Sequence, residues 1–334
     1  MATYKEIQGT AVQSLTDSTS TIEGQIWYST PATNFKLTSV TSADAWSTGG
    51  NLNASKSDGG GCGPQTAALY FGGSPSPGAS LATTESYDGS SWTNLPATMN
   101  DARTVAASGG TQTAAVAAGQ RGGNGQLTEE YNGSSWASAT SIGTSIYYRT
   151  GTGPQTALFI AGGSPDGNAN VTTTAEYDGS SWTAGGALAT ATSFAASVGS
   201  SADGLQISGG QASPATYIAN TQAYNGTSWS ALNPVNTARK YGGASASGPT
   251  STALFVGGST SPPVYVSTCE KYDGTSWSAT TSLATARSNL AGGGTGSPTT
   301  ALVSGGKTSP TARTNSTEEF NAAGSLETVT ITTT

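Results

Sequence analysis

YDGSSW, at residues 87–92, recurs as YNGSSW at 131–136, YDGSSW at 177–182, YNGTSW at 224–229 and YDGTSW at 272–277. A sixth copy, FNAAGSL at 320–326, keeps the aromatic residue and the Asn but lacks the Trp, whereas Trp46 stands alone at the other end of the series. Successive tryptophans from Trp46 to Trp277 lie 46, 44, 46, 47 and 48 residues apart. A fixed period of this length indicates a repeat architecture.

Each unit also contains an apolar run that ends in glycine, such as ALYFGG before Ser74 and ALFVGG before Ser259. Where the glycine pair is complete, its first Gly precedes the repeated Tyr or Phe by 15 residues, as Gly72 precedes Tyr87. Asp-Gly and Asn-Gly tolerate the positive φ of a tight hairpin, so YDGSSW is interpreted as strand, two-residue turn and strand. One unit therefore predicts a four-stranded antiparallel meander with a small-residue strand first.

Composition supports an all-β chain and excludes several kinds of site. Charged residues make up 9% of the 334 residues and glycine is abundant, with 46 copies, so strong helix formers are scarce. Twelve basic residues and a net charge of −7 argue against nucleic acid as a partner. Histidine is absent, which removes His-based catalysis and His-ligated metals. We expect no cofactor, no metal, no membrane insertion and no N-terminal secretion signal, and two free thiols at Cys62 and Cys269.

The order of apolar strand, Gly-Gly, spaced aromatic and Trp resembles the kelch repeat over about residues 46 to 326. The resemblance implies a β-propeller, here with six four-stranded blades. Trp46 lacks three preceding strands of its own and the sixth repeat lacks a Trp, so the strand around Trp46 is expected to pair with residues 317–321 and close the ring. The alternative is a seventh blade built from residues 25–28, 35–40, Trp46 and the tail 326–334.

The chain is divided at this stage into an N-terminal segment, 1–45, and a propeller, 46–334. The segment contains EGQIWYSTPATNFKLTSV at 23–40, interpreted as a hairpin, which resembles a short module of bacteriophage tail-fibre and other virion structural proteins. This resemblance implies a non-enzymatic phage protein of the tail fibre, tail tip or capsid surface, located on the virion and assembled in the host cytoplasm. An ordinary closing hairpin of the propeller is the alternative for this segment.

A basic residue recurs near the start of the inner strands. The members are Lys56, Arg103, Arg149, Arg239 and Arg287. In a ring they would converge at one channel mouth, where they either bind an anionic ligand or bridge blades through loop carbonyls, and bridging is favoured.

A glutamate recurs two residues before the aromatic, with Ala175 and Gln222 in the remaining units. The glutamates are Glu85, Glu129, Glu270 and Glu318. The repeat itself positions them, so catalysis by them is not expected.

The loops after Gly-Gly are the other candidate binding surface, because they are not needed for packing. Tyr217 and Tyr265 lie on them and suit stacking on sugars or contact with protein. The expected partners are other virion subunits through residues 1–45 and a host surface glycan or protein, with the chain as a homo-oligomer in the particle. The alternatives are an intracellular kelch scaffold and a polysaccharide depolymerase.

Overall fold

The computed structural model describes residues 14–15, 26–29, 34–40, 43–120, 125–165, 169–210, 216–245, 250–261, 263–290, 295–324 and 326–331. These residues contain strands and turns and no helix. The chain divides into two compact units. One runs from Trp46 to Phe320, and the other combines Met1–Ala45 with Asn321–Thr334.

The larger unit is a six-bladed β-propeller of four-stranded antiparallel sheets, as the repeat predicts. Blade one contains β5 (Gly60–Cys62), β6 (Ala68–Phe71), β7 (Thr84–Tyr87) and β8 (Trp92–Leu95). Blade two contains β9 (Val105–Thr111), β10 (Ala114–Gln120), β11 (Thr128–Tyr131) and β12 (Trp136–Ser138). Blade three contains β13 (Thr150–Thr152), β14 (Leu158–Ala161), β15 (Thr174–Tyr177) and β16 (Trp182–Gly185).

The remaining blades follow the same plan. Blade four contains β17 (Ala196–Gly199), β18 (Gly204–Ile207), β19 (Thr221–Tyr224) and β20 (Trp229–Leu232). Blade five contains β21 (Gly243–Ala244), β22 (Ala253–Val256), β25 (Cys269–Tyr272) and β26 (Trp277–Thr280), with a hairpin of β23 (Ser259–Thr260) and β24 (Val264–Tyr265) between them. Blade six contains β27 (Thr295–Gly296), β28 (Thr300–Ser304), β29 (Thr317–Asn321) and β4 (Ala45–Gly49).

Small residues are required where the inner strands of neighbouring blades converge. A Cβ built on Gly109 of β9 would lie 1.8 Å from the carbonyl oxygen of Gly153, in the inner strand region of the next blade. No side chain fits at that separation, so glycine sets how closely the two blades approach. The buried core lies between the sheets, where residues such as Phe71 and Trp136 pack with ring centroids 4.8 Å apart.

The strand around Trp46 closes the ring as predicted, because β4 is the outer strand of blade six beside β29. The Trp46 ring lies 5.1 Å from that of Phe320, the aromatic residue of the sixth repeat. Trp46 therefore supplies the tryptophan that FNAAGSL lacks, and the seventh-blade alternative is wrong.

An indole hydrogen bond joins each blade to the one before it. The tryptophan of an outer strand donates its Nε1–H to the hydroxyl of the first threonine in the third strand of the preceding blade. The pairs are Trp92 with Thr317, Trp136 with Thr84, Trp182 with Thr128, Trp229 with Thr174 and Trp277 with Thr221, at 2.9 to 3.1 Å. At the closure the equivalent residue is Cys269, whose thiol accepts from the Trp46 indole, and Trp46 also donates to the carbonyl oxygen of Thr281 at 2.9 Å. The closing contact thus lacks the hydroxyl that the other five have.

Replacing Cys269→Thr is expected to stabilise the propeller by about 1 kcal/mol, because it offers Trp46 the acceptor used at the other five junctions. Urea denaturation of wild type and variant measures the difference. Thr221→Cys is the matched control and should cost a similar amount at the junction with Trp277. A loss of stability in Cys269→Thr would show that the closing junction has a different geometry from the rest.

The second unit is a four-stranded sheet formed by both ends of the chain. Its order is β1 (Ser14–Leu15), β2 (Ile26–Ser29), β3 (Asn34–Val40) and β30 (Leu326–Ile331). β2 and β3 form the hairpin interpreted from EGQIWY, and β3 pairs antiparallel with β30 from Phe35 opposite Ile331 to Val40 opposite Leu326. The division at residue 45 assigned the tail to the propeller, but the tail joins the N-terminal segment: the sixth blade already has its fourth strand, and β30 pairs with β3 instead.

Candidate functional site

The recurrent basic residues, expected either to bind an anion or to bridge blades, are buried. Arg103, Arg239 and Arg287 are 0% exposed, Lys56 is 1% exposed and Arg149 is 4% exposed. Each of these residues lies in or near the crossover, the segment between the outer strand of one blade and the inner strand of the next. Its side chain extends along its own blade toward the second and third strands. The guanidinium of Arg239 donates to the carbonyl oxygens of Gly257 at 2.9 Å and Thr268 at 2.7 Å.

The recurrent glutamates are the partners of these cations. Arg239 Nη2 lies 2.7 Å from Oε1 of Glu270, and Arg287 Nη2 lies 2.7 Å from Oε1 of Glu318. Lys56 forms the same ion pair with Glu85, and Arg103 lies 3.3 Å from Glu129. Burial lowers the pKa of each of these four cations, and the facing carboxylate opposes that shift.

The second oxygen of each carboxylate holds the crossover that enters the blade. Glu270 Oε2 accepts the backbone N–H of Asn236 at 2.7 Å, and Glu318 Oε2 accepts that of Ala284 at 2.7 Å. The pair therefore links the crossover backbone to the body of the blade. A ligand role for Lys56, Arg103, Arg239 and Arg287 is replaced by a structural one, because their charged groups point into the sheet and are already paired.

The two blades without the ion pair lack both of its members. The backbone bridges Ser57↔Ser74, Tyr147↔Ser164 and Ser193↔Gly210 define equivalent positions. By that register the cation position holds Ile146 in blade three, where the glutamate position holds Ala175. Blade four has Thr192 and Gln222, and both bond to Gln206 Oε1, at 2.6 and 3.0 Å. At these two register positions the charges are thus either both present or both absent.

Arg149 is three residues later than the position to which the sequence assigned it. It nevertheless reaches the same part of its blade, where Nε lies 3.4 Å from the carbonyl oxygen of Gly162 and Nη2 lies 3.2 Å from Oγ1 of Thr173. No ion pair and no partner for Nη1 is found among the described residues. Burial lowers the pKa of Arg149 to about 10. Among the described residues, the buried Arg149 cation of blade three thus has no carboxylate partner.

Replacing Ala175→Glu should stabilise the chain by about 1 to 3 kcal/mol, because the new carboxylate faces the Arg149 guanidinium as Glu270 faces Arg239. Chemical denaturation at pH 7 measures the gain. Ala175→Gln, of similar size without the charge, serves as the control and should give little of it. Equal effects of the two replacements would contradict a charge deficit at Arg149.

The inner strands begin at a ring of backbone contacts around one mouth of the channel. Its six equivalent residues are Asp58, Val105, Tyr148, Phe194, Tyr241 and Asn289. Five of these residues donate their N–H to the equivalent carbonyl of the preceding blade, as Tyr241 donates to Phe194 at 3.0 Å and Asn289 donates to Tyr241 at 2.8 Å. All except Val105 have φ between 53° and 59°. Asp and Asn tolerate this left-handed conformation, whereas bulky aromatic residues rarely adopt it.

The three aromatic members form an arc on one side of this mouth. The ring centroids of Tyr148 and Phe194 are 4.4 Å apart and those of Phe194 and Tyr241 are 4.8 Å apart, and all three side chains are partly exposed. Asn289 Nδ2 donates to Asp58 Oδ1 at 2.7 Å on the other side. The sequence interpretation missed this arc, although each of its members occupies the same place in its repeat.

A cavity of about 450 Å³ opens at this mouth. Its lining includes Asp58, Thr104, Gln120, Tyr148, Tyr241, Asn289, Lys307 and Arg313. A second cavity, of about 650 Å³, is lined mainly by the turns that join the inner and second strands, including residues Gly63, Gly110, Gly153 and Gly199. The first cavity combines aromatic faces with charged groups, whereas the second has one ionisable carboxylate among its described residues, Asp203.

The two loop tyrosines differ in how they relate to this arc. Tyr217 is partly exposed, with Lys240 Nζ 4.9 Å from its ring centroid, and the same Nζ lies 4.9 Å from that of Phe194. Tyr265 is in β24, opposite Ser259, beside Val264, which is 54% exposed. Neither residue is among those that line the 450 Å³ cavity.

Over the described part of the chain, no group of three or more His, Cys, Asp or Glu residues is placed to hold a metal ion. Nor does that part contain a helix long and apolar enough to span a bilayer. Cys62 and Cys269 are buried free thiols, as predicted.

No protein-family model and no curated protein sequence matches this chain. Among solved structures it is similar to YjhT, with a TM-score of 0.68 and 14% sequence identity over 84% of this chain and 99% of the other. At that identity the similarity shows the β-propeller fold alone.

Proposed function

We propose that this chain is a non-enzymatic structural protein of a bacteriophage particle, which displays a rigid β-propeller for attachment to a host surface. The observation that carries the proposal is the separate use of the chain ends. β4 completes the sixth blade, so the ring closes without residues before Ala45 or after Asn321. Both ends then combine in a second sheet through β3 and β30.

This arrangement suits a protein in which the terminal sheet attaches to the particle and the propeller binds the host surface. The terminal sheet contains the hairpin whose sequence resembles a virion module, and it provides residues for contact with other particle subunits or with copies of this chain. The propeller contributes the binding surface. Four of the twelve basic residues are buried in ion pairs with glutamates, where they add rigidity and are not available to a ligand.

Proteomics of purified particles tests the proposal. In the phage that encodes the chain, its peptides should be found in gradient-purified particles, and antibodies to the propeller should block adsorption to the host. Deleting residues 1–43 should leave the propeller folded but absent from particles. Finding the chain in infected cells and never in particles would overturn the assignment.

The non-enzymatic part of the proposal has its own test. Purified protein is incubated with host surface polysaccharide, and new reducing ends are measured over time. We expect binding without release of reducing ends. Their accumulation would identify a depolymerase instead.

A further inference from the structure

We propose that the 450 Å³ mouth cavity is a binding site for a carboxylate-bearing pyranose, with Tyr148 and Tyr241 as stacking faces and Arg313 as the carboxylate partner. This inference deepens the proposed function by naming a ligand class, and its test uses purified protein, so that it can fail or succeed independently of any role in a particle. The argument rests on the aromatic arc, on the composition of the cavity and on its charge.

The three aromatic residues of the arc have a left-handed backbone conformation, which is unfavourable for aromatic residues. The ring geometry requires a left-handed residue at the start of the inner strand, and Asn289 and Asp58 meet that requirement with side chains that tolerate it. Three consecutive blades instead have Tyr148, Phe194 and Tyr241 there. Strained residues of this kind are concentrated at functional sites, where another interaction justifies them.

The cavity has the dimensions and lining of a small-ligand site. Its volume of about 450 Å³ falls within the roughly 300 to 1,000 Å³ of ligand pockets. Tyr148 and Tyr241 present apolar faces with a hydroxyl at the edge, which suits a sugar ring with an apolar face and a polar rim. Thr104 and Gln120 line the same cavity and are partly exposed, so their polar groups are able to hydrogen-bond to sugar hydroxyls.

The charge of the cavity favours an anion. Lys307 Nζ lies 3.3 Å from Asp58 Oδ2, so the charge of Lys307 is already paired inside the cavity. Arg313 forms no ion pair with any described residue; its Nη1 donates to the carbonyl oxygen of Thr311 at 2.9 Å, and its Nε is buried without a partner. A guanidinium with unused donors is a bidentate partner for a carboxylate.

Calorimetric titration with two matched probes tests the site. One is an oligosaccharide that contains glucuronate, and the other is the same oligosaccharide after reduction of its carboxyl groups. We expect the reduced probe to bind at least about tenfold more weakly. Arg313→Gln should abolish the difference between the probes. No heat with either probe, or equal affinities in wild type, would overturn the proposal.

The tyrosines are tested by Tyr148→Asn and Tyr241→Asn, because Asn tolerates the left-handed backbone. Each variant should weaken binding at least about tenfold while its melting temperature equals or exceeds that of wild type. Tyr265→Asn, outside the cavity, is the control and should bind normally. A fall in melting temperature that parallels the loss of binding, or unchanged binding, would show that the arc serves packing and would overturn the site.

Discussion

Replacing Arg287→Met is expected to lower the free energy of unfolding by about 3 to 5 kcal/mol, since it leaves a buried carboxylate without its partner. Arg287 is 0% exposed and its guanidinium binds the carbonyl oxygens of Gly305 and Ser316 as well as Glu318. The loss therefore combines an unpaired charge with two carbonyl groups that lose their donor. Denaturant unfolding at pH 7 measures it.

The double variant Arg287→Met with Glu318→Gln separates these contributions. It removes the unpaired charge but keeps an oxygen for the N–H of Ala284, as Gln222 keeps one for Thr190 in blade four. We expect it to recover about 1 to 2 kcal/mol of the loss in Arg287→Met. Arg313→Gln, a change at a partly exposed arginine, should leave stability nearly unchanged. A single variant as stable as wild type would contradict a structural role for the ion pairs.

Removing the closing strand should have the largest effect on the propeller. A chain of residues 51–324 lacks β4 and is expected to melt roughly 10 °C or more below a chain of residues 44–324, or to aggregate. The shorter chain loses the backbone pairing of β4 with β29, the packing of Trp46 on Phe320 and the indole bond to Thr281. Unpaired strand edges would then remain in the sixth blade.

Differential scanning calorimetry compares the two chains. Both lack the strands of the terminal sheet, so that β30 is not left without β3 in either of them. The 44–324 chain should melt cooperatively near the temperature of the full propeller. Equal melting temperatures for the two chains would show that the ring does not depend on β4 for closure.

The blade plan was predictable because it depends on local features that repeat. Asp-Gly and Asn-Gly define a hairpin wherever they occur, and the 15-residue spacing from Gly72 to Tyr87 recurs in other units. Closure by Trp46 was predictable by the same reasoning, since one repeat lacked a tryptophan and one tryptophan lacked a repeat. Such arguments need only the order of elements along the chain.

The candidate site was less accessible to sequence. Two columns were identified, the cations and the glutamates, but they were interpreted separately. The cations were expected to bridge blades through loop carbonyls or to bind an anion, and the glutamates were expected to be positioned by the repeat. Their distance in sequence, from Lys56 to Glu85 or from Arg239 to Glu270, gives no indication of contact. The coincidence of Thr192 with Gln222 was an available signal, because both positions lose their charge in the same blade.

The all-β class, the four-stranded unit and the closing role of the Trp46 strand followed from the sequence, since turn chemistry and a strict period act locally. The sequence left six and seven blades open, and the pairing of β4 with β29 in the folded chain established six. The folded chain was also needed to show which way the arginines point, that Arg149 arrives from a shifted position, that β30 pairs with β3, and that Tyr148, Phe194 and Tyr241 form one arc. These features depend on contacts between segments distant in sequence, where burial selects the paired charges and ring geometry imposes the left-handed backbone.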